Sequence, residues 1–119
     1  MTDFELVERA RDGDQTAFRA LYEKNVDRVF HLTFRMVGEE QLARELTQDA
    51  FVRVWECLDQ FRGEAAFSTW LHSVAVSVVL NRLRKIDRHR KRERSLEDAH
   101  HLGTIPRVTD SGVRERLTE

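Results

Sequence analysis

Apolar residues recur at steps of three and four along most of this 119-residue chain, the spacing of one buried face of an α-helix. One Pro and five Gly accompany 34% charged residues. So many charges with so few helix breakers favour long amphipathic helices over a sandwich or barrel. We therefore predict an all-α fold, a compact bundle of about four helices with a polar C-terminal tail.

The helix boundaries follow from local signals. A first short helix should stop at Asp12-Gly13, and Asp14 is a good N-cap for a second helix that ends at Gly38. Its predicted buried stripe is Phe18, Leu21, Tyr22, Val26, Val29, Phe30, Thr33, Phe34 and Val37. The stripe of the first helix is predicted as Phe4, Leu6, Val7 and Ala10.

A third helix is expected from about Glu39, with acidic residues in its first turn. Its predicted buried residues are Leu42, Leu46, Ala50, Val54 and Leu58, with Phe51 and Trp55 alongside. Residues 59–66 read as a loop around Gly63, and a fourth helix should run from about Phe67. Its predicted inner stripe is Phe67, Leu71, Val74, Val78 and Leu83. Ser95 and Asp98 suggest a short fifth helix at 95–102, and later residues read as a linker or tail.

Several classes of protein are disfavoured. A single cysteine, Cys57, excludes an internal disulfide and suits a reducing cytoplasm. No stretch approaches the roughly 18 apolar residues of a membrane helix, and the acidic N-terminus does not resemble a signal peptide. A soluble cytoplasmic protein without membrane insertion is expected.

The sequence shows no pattern typical of a catalytic or metal-binding site. The chain has no Gly-rich phosphate loop, and Cys57 has no neighbouring His in sequence. His89, His100 and His101 lack the spacing of a zinc site. The prediction is a protein that is not an enzyme, with no catalytic residues, no metal and no cofactor.

The net charge of −1 conceals a strong asymmetry. Residues 1–66 carry 9 basic and 14 acidic side chains, whereas residues 67–94 carry 8 basic and 2 acidic ones. A basic segment joined to an acidic body suggests a polyanionic partner and a second, different one. The alternative is that the basic stretch is only the solvated end of a helix.

Three stretches contain residues that suggest a binding role in addition to their place in the helical fold. In the third helix, Glu45, Gln48, Asp49 and Arg53 can share a polar ridge, although an ordinary amphipathic helix has the same pattern. The second stretch, 59–70, is a loop with Phe61, Phe67 and Trp70, which could hold an unpaired base. The alternative is that all three rings are core, and this is favoured for Phe67. The third, 81–92, places basic residues where they could follow a phosphate backbone.

The order and spacing of these stretches resemble conserved region two of bacterial RNA polymerase sigma factors, most closely the extracytoplasmic-function (ECF) group. The resemblance covers about residues 4–92. Its most specific pieces are Leu46-Thr47-Gln48-Asp49-Ala50-Phe51, Phe61-Arg62-Gly63 and Ser68-Thr69-Trp70-Leu71. The weaker pieces are Leu21-Tyr22-Glu23, Asp27-Arg28-Val29 and Arg82-Leu83-Arg84.

The resemblance implies a domain that binds core RNA polymerase and recognises and melts the promoter minus-ten element to direct transcription initiation. It implies docking of the third helix on a coiled coil of the largest polymerase subunit, through Glu45, Leu46, Gln48, Asp49 and Arg53. It implies contact with the non-template strand, including a flipped-out base. The residues carried over for DNA are Phe61, Arg62, Gly63, Ser68, Thr69, Trp70, Ser77, Asn81, Arg82, Arg84, Lys85 and Arg88. An anti-sigma factor is a further implied partner.

The chain departs from the family pattern in two places. Val76-Ser77 stands where an Arg-Asn pair is usual, and Asn81 replaces a common Asp, which puts the preferred promoter sequence in doubt. The second domain of a complete ECF sigma factor, region four, does not follow. We expect a region two domain at 1–94 and, at 95–119, a linker or tail cut short of region four. A natural protein consisting of region two alone is the less favoured alternative.

Two rival functions remain open at this point. A helical protein-interaction regulator could sequester a partner through the ridge without touching DNA. An ordinary repressor would bind intact duplex tightly, whereas a sigma domain should prefer single-stranded or pre-melted DNA when core polymerase is present.

Overall fold

A computed structural model describes the backbone of residues 1–102 and the side chains of residues 1–96. This part of the chain contains four α-helices: α1 (Asp3–Arg11), α2 (Gln15–Val37), α3 (Glu40–Cys57) and α4 (Phe67–Leu102). A 3₁₀ turn, Leu58–Gln60, follows α3. No strand occurs in the described backbone, so the predicted all-α fold is confirmed.

The predicted helix ends are set by local chemistry. Asp14 accepts hydrogen bonds from the backbone N–H groups of Thr16 and Ala17 (3.0 and 3.1 Å) and so caps α2. Gly38 ends α2 with φ +70°, a left-handed conformation that glycine adopts without steric penalty. The carboxylate of Glu39 then accepts from the first backbone N–H groups of α3. The start of α2 after Asp14 and its end at Gly38, both inferred from sequence, are confirmed.

The residues divide into two units, Met1–Val79 and Leu80–Glu119. In the first unit α2 packs against α1 and α3, and the start of α4 contributes Phe67, Leu71 and Ala75 to the same core. In the second unit the described part is the continuation of α4 to Leu102. The separate fifth helix predicted at 95–102 is wrong, because the α-helix continues through Ser95. The linker or tail predicted after residue 102 lies outside the described residues.

The buried faces of α2 and α3 differ from the predicted stripes. The inner line of α2 is Leu21, Asn25, Val29 and Thr33, whereas Phe34 is 41% exposed. Trp55 of α3 is 42% exposed rather than packed alongside the core. Burial of the polar residues is possible because each finds a partner within the fold. The Asn25 amide donates to the Leu21 carbonyl at 2.8 Å.

A buried hydroxyl pair joins α2 to α3. The Thr33 hydroxyl lies 3.0 Å from that of Thr47, and Thr47 donates to the Ala43 carbonyl at 2.7 Å. The two hydroxyls bond to each other and to the Ala43 carbonyl, so these buried polar groups have partners within the fold. The two helices are therefore held by a polar link as well as by apolar packing.

Two further stripes require correction. In α4 the buried positions are Phe67, Leu71, Ala75 and Val79, one residue on from the predicted Val74 and Val78, which are half-buried. In α1, Leu6, Val7 and Ala10 are buried but Phe4 is 45% exposed. Val74, Val78 and Phe4 look like core residues in sequence but lie beside the buried lines of their helices rather than on them.

Candidate nucleic-acid and partner interface

The polar ridge predicted on the third helix is present on α3. Glu45, Gln48 and Arg53 are exposed and Asp49 is half-buried. Leu46 lies in the core instead, with 0% of its surface exposed, so its side chain is not part of the ridge. Its burial fixes the rotation of α3 and thereby turns the polar residues outward.

An aromatic groove adjoins this ridge, and the sequence reasoning missed it. Gln48 Nε2 donates to the Tyr22 hydroxyl at 2.9 Å, and Tyr22 lines a cavity of about 360 Å³ with Phe18 and Trp55. Phe18 and Trp55 meet edge to face with ring centroids 4.9 Å apart. The outer side of α3 is therefore amphipathic rather than purely polar.

A signal for this groove exists in the sequence. Gln48, Val52 and Trp55 follow one another at steps of four and three, which places them on one side of a helix. Val52 is 57% exposed and Trp55 42% exposed. A stripe of this kind next to a separate buried stripe indicates a surface suited to contact another protein.

The loop predicted at 59–66 leads into a cluster of three rings. Phe61 lies 5.7 Å from Phe67 and 5.4 Å from Trp70 between ring centroids, and Phe67 lies 5.9 Å from Trp70. Phe61 and Phe67 are each only 3% exposed, so they are the floor of the site, whereas Trp70 is half-buried. The core alternative weighed for Phe67 is thus confirmed, and it extends to Phe61.

A second cavity opens above this floor. Its volume is about 650 Å³, within the range of roughly 300–1,000 Å³ typical of small-ligand sites. Its lining residues are Asp3, Phe4, Lys24, Phe61, Gly63, Glu64, Ala65, Ala66 and Phe67. The walls are mainly apolar and aromatic, and three charged side chains stand among them.

Gly63 shapes this cavity. Its φ of +77° belongs to the left-handed region that side chains other than glycine adopt at a cost. A Cβ at position 63 would also lie 2.9 Å from Phe4 Cε1, closer than such atoms pack. Glycine is therefore favoured here by the backbone turn, and a side chain at this position would also displace the ring of Phe4.

The remaining predicted DNA residues in the first unit are on the loop and the start of α4. Arg62 and Thr69 are exposed, as is Ser77, and Ser68 is half-buried. None of the four lines the cavity around Gly63. They are available on the surface of the same unit, where Val76 is half-buried beside Ser77.

The predicted basic residues in the second unit lie on the continuous helix α4. Asn81, Arg84 and Lys85 are exposed, and Arg82 and Arg88 are half-buried. Farther along, Lys91 pairs with Asp87 at 3.3 Å and His89 with Glu93 at 2.7 Å, one turn apart in each case. Such exposed pairs contribute little to stability, on the order of 0.5 kcal/mol each.

Titration and metal chemistry add little within the described residues. Hydrogen bonds from the Thr2 backbone N–H and hydroxyl lower the pKa of the Glu5 carboxyl below its ordinary value of 4.5. No group of three His, Cys, Asp or Glu side chains in this part of the chain is arranged to hold a metal ion. No helix among the same residues is both long enough and apolar enough to span a membrane.

Comparison with known proteins gives a consistent picture. The family model described as Sigma-70 region 2 matches residues 21–94. The ECF RNA polymerase sigma-E factor of Haemophilus influenzae is 35% identical over 121 residues, covering 99% of this chain and 64% of that protein. The sigma-E factor of Escherichia coli K12 is 40% identical over 83 residues, covering 70% and 43%. RNA polymerase sigma-H factor of Pseudomonas aeruginosa is 38% identical over 81 residues, covering 68% and 42%.

A solved structure shares the fold. It is the NMR structure of an engineered region 2 of sigmaE in complex with GTAAAA, with a TM-score of 0.70 and 36% identity. The match covers 75% of this chain and 93% of that one. The chain thus spans nearly all of an isolated region 2 but only about half the length of the curated relatives it matches.

Proposed function

The chain belongs to the Sigma-70 region 2 family, as a member of the ECF group, and we propose that it binds core RNA polymerase and recognises and melts the promoter minus-ten element. The observation that carries the proposal is the pairing of two distinct surfaces in one unit. One is the exposed ridge of α3 with its aromatic groove, and the other is the aromatic cavity at the loop before α4.

The ridge is suited to a protein partner. Glu45, Gln48, Asp49 and Arg53 supply polar groups, and Trp55 adds a large exposed ring of the kind that dominates interface energies. Docking on the coiled coil of the largest polymerase subunit would use this surface. Leu46 supports it from the core without contact.

The cavity is suited to single-stranded DNA. A base can enter it only after leaving the duplex, at a cost of a few kcal/mol that falls where the duplex opens easily. The aromatic floor of Phe61 and Phe67 compensates part of that cost through apolar contact. The structural relative was solved in complex with GTAAAA, which supports a site for nucleic acid in this fold.

The basic segment is suited to phosphates. Arg82, Arg84, Lys85 and Arg88 would hold the backbone of the non-template strand and make the affinity fall with salt. Arg62, Ser68, Thr69, Trp70, Ser77 and Asn81 are the further candidates for DNA contact. Because Val76 offers no polar group beside Ser77, we propose no preferred promoter sequence.

The rival interpretation, a regulator that sequesters a partner without binding DNA, is not favoured by the comparisons. An anti-sigma factor that covers the ridge until a signal releases it is compatible with the exposed groove. We propose it as a third partner, after polymerase and promoter DNA, and we place the activity in the cytoplasm.

The first experiment measures binding to core RNA polymerase. A fluorescently labelled 1–119 chain is titrated with core enzyme, and wild type is compared with Gln48→Ala/Asp49→Ala. We expect saturable binding that the double substitution weakens by at least tenfold, about 1.4 kcal/mol. Glu8→Ala/Arg9→Ala is a matched control, since both residues are exposed on α1 outside the residues matched by the family model.

Either of two results contradicts the proposal. Absence of saturable binding by wild type would remove the docking function, and equal binding by the two double variants would remove the ridge as its site. A separate titration with DNA then tests the second surface. With core polymerase present, the chain should bind the single strand GTAAAA more tightly than a duplex of the same sequence, which a conventional repressor would not do.

A further inference from the structure

The cavity at the loop before α4 has one wall that no family motif supplies. Phe4 belongs to α1, which precedes the residues 21–94 matched by the family model. Its ring nevertheless lines the cavity together with Phe61, Gly63 and Phe67. A site assembled from the motif residues alone would be open on this side.

Phe4 is exposed, whereas the other apolar residues of α1 are buried. It is 45% exposed, whereas Leu6 and Val7 are buried in the core at 8% and 0%. A ring that lines a cavity and is 45% exposed leaves much of its apolar surface outside the core. It is well placed to cover a flat ligand that enters the cavity.

Three interactions hold Phe4 at this position. The ring lies directly over Gly63, where a Cβ would be 2.9 Å from Cε1. The adjacent Asp3 forms an ion pair with Lys24, which ties the start of α1 to α2. The capping box between Thr2 and Glu5 fixes the first turn from the other side.

The charges of the cavity select the part of a nucleotide that can enter. Asp3 and Glu64 carry negative charge among the lining residues, and the one basic residue there, Lys24, is paired with Asp3. Carboxylates oppose a phosphate but accept hydrogen bonds from the N–H groups of a base. Aromatic walls with acidic groups among them therefore suit a neutral planar ring rather than the DNA backbone.

We propose that Phe4 stacks on a single unpaired DNA base in this cavity, so that α1 is part of the surface that reads the promoter. The inference rests on the proposed function and adds to it a specificity-determining residue outside the motif. The base is covered by Phe4 on one side and rests on Phe61 and Phe67 on the other. The phosphates remain outside the cavity.

The test uses the 1–119 chain bound to core polymerase, with core enzyme alone as the blank. The probe is single-stranded GTAAAA carrying 2-aminopurine at one adenine position at a time, whose fluorescence reports stacking. Phe4→Ala should weaken binding about 5- to 100-fold, the effect of losing one aromatic stacking partner. Phe34→Ala is the matched control, because Phe34 is similarly exposed (41%) but does not line the cavity.

Two more variants separate stacking from packing over Gly63. Phe4→Tyr keeps a ring and should bind within about twofold of wild type and restore the fluorescence change at the stacked position. Phe4→Leu keeps apolar volume but has no ring, and it should resemble Phe4→Ala. Thermal unfolding of each variant confirms that the chain remains folded at the temperature of the titration.

The outcomes distinguish this inference from the proposed function. If wild type binds the probe and Phe4→Ala binds equally well, the inference is wrong and the DNA-binding function stands. If wild type binds core polymerase but neither GTAAAA nor a pool of single strands of random sequence, both the inference and the DNA-binding part of the function fail. If Phe4→Ala instead weakens binding to core polymerase, the cavity holds a polymerase side chain, which also overturns the inference.

Discussion

The α2–α3 pair and the loop between α3 and α4 are built in different ways. The helix pair depends on repetition: Leu21, Val29, Leu46 and Val54 are all buried at helical spacing, and many contacts share the stabilising energy. The loop depends on single residues, since one glycine at φ +77° and one ring above it define the cavity. The helix pair is therefore stabilised by many equivalent contacts, whereas the shape of the cavity depends on a few single residues.

The largest expected effect on stability comes from removing a core side chain of the α2–α3 pair. Leu46→Ala should lower the free energy of unfolding by about 2–5 kcal/mol, because it deletes a fully buried side chain and leaves a cavity. Val52→Ala, on the same helix but 57% exposed, should change it by less than about 0.5 kcal/mol. Urea unfolding followed by circular dichroism measures both.

At temperatures where it is still folded, Leu46→Ala should retain binding to the single strand GTAAAA. A large loss of DNA binding in a folded Leu46→Ala chain would contradict the separation of the two regions. Equal stability of the two variants would contradict the assignment of Leu46 to the core.

The second-largest effect comes from the loop, where a substitution should reduce DNA binding as well as stability. Gly63→Ala introduces a side chain in the left-handed region, at about 1–2 kcal/mol, and forces Phe4 away from its position. Gly38→Ala is the control, because its φ of +70° is similar but nothing lies within 4 Å of the added Cβ. Both variants should lose comparable stability.

Only Gly63→Ala should also lose DNA binding, by about fivefold or more if one stacking contact is disturbed. Fluorescence titration with the 2-aminopurine probe measures this difference directly. Parallel loss of DNA binding in Gly38→Ala would show that binding follows overall stability rather than the shape of the cavity.

The same contrast explains what the sequence could reveal. The caps at Asp14 and Gly38 were predictable because each acts on backbone groups within a few residues of itself. The predicted α2 stripe correctly included Leu21, Val29 and Thr33 but missed Asn25, whose burial is compensated by a hydrogen bond to the Leu21 carbonyl that hydropathy cannot show.

The features of the candidate site also divide into those that a local sequence pattern predicts and those that only tertiary packing shows. The ridge was predictable from periodicity along one helix, and so was the burial of Leu46, whereas the motif that suggested Leu46 as a polymerase contact does not say which of its members face inward. The place of Phe4 could not be predicted, since it meets Gly63 only through tertiary packing between α1 and a distant loop. Local rules determine helices and their ends, and the cavity is a property of the assembled unit.

The smallest expected effect concerns the first turn of α1, which carries Phe4. Hydrogen bonds from Thr2 lower the pKa of Glu5, so its ionised form favours the folded helix. That contribution is complete above the ordinary pKa of 4.5 and is lost as the pH falls through the lower pKa of the folded state. The stability difference between wild type and Glu5→Gln should therefore shrink toward zero on acidification below pH 4.5.

Urea unfolding of the two chains at several pH values between 3 and 7 measures this difference. Because the two chains share all their other carboxylates, the pH-dependent contributions of those groups to stability cancel in the comparison. Hydrogen exchange of the Leu6 amide, which donates to the Thr2 carbonyl at 3.0 Å, should accelerate in Glu5→Gln at neutral pH. A constant stability difference across the pH range would show that the negative charge of Glu5 does not stabilise the turn that carries Phe4, since the Gln side chain can still accept the hydrogen bonds of the capping box.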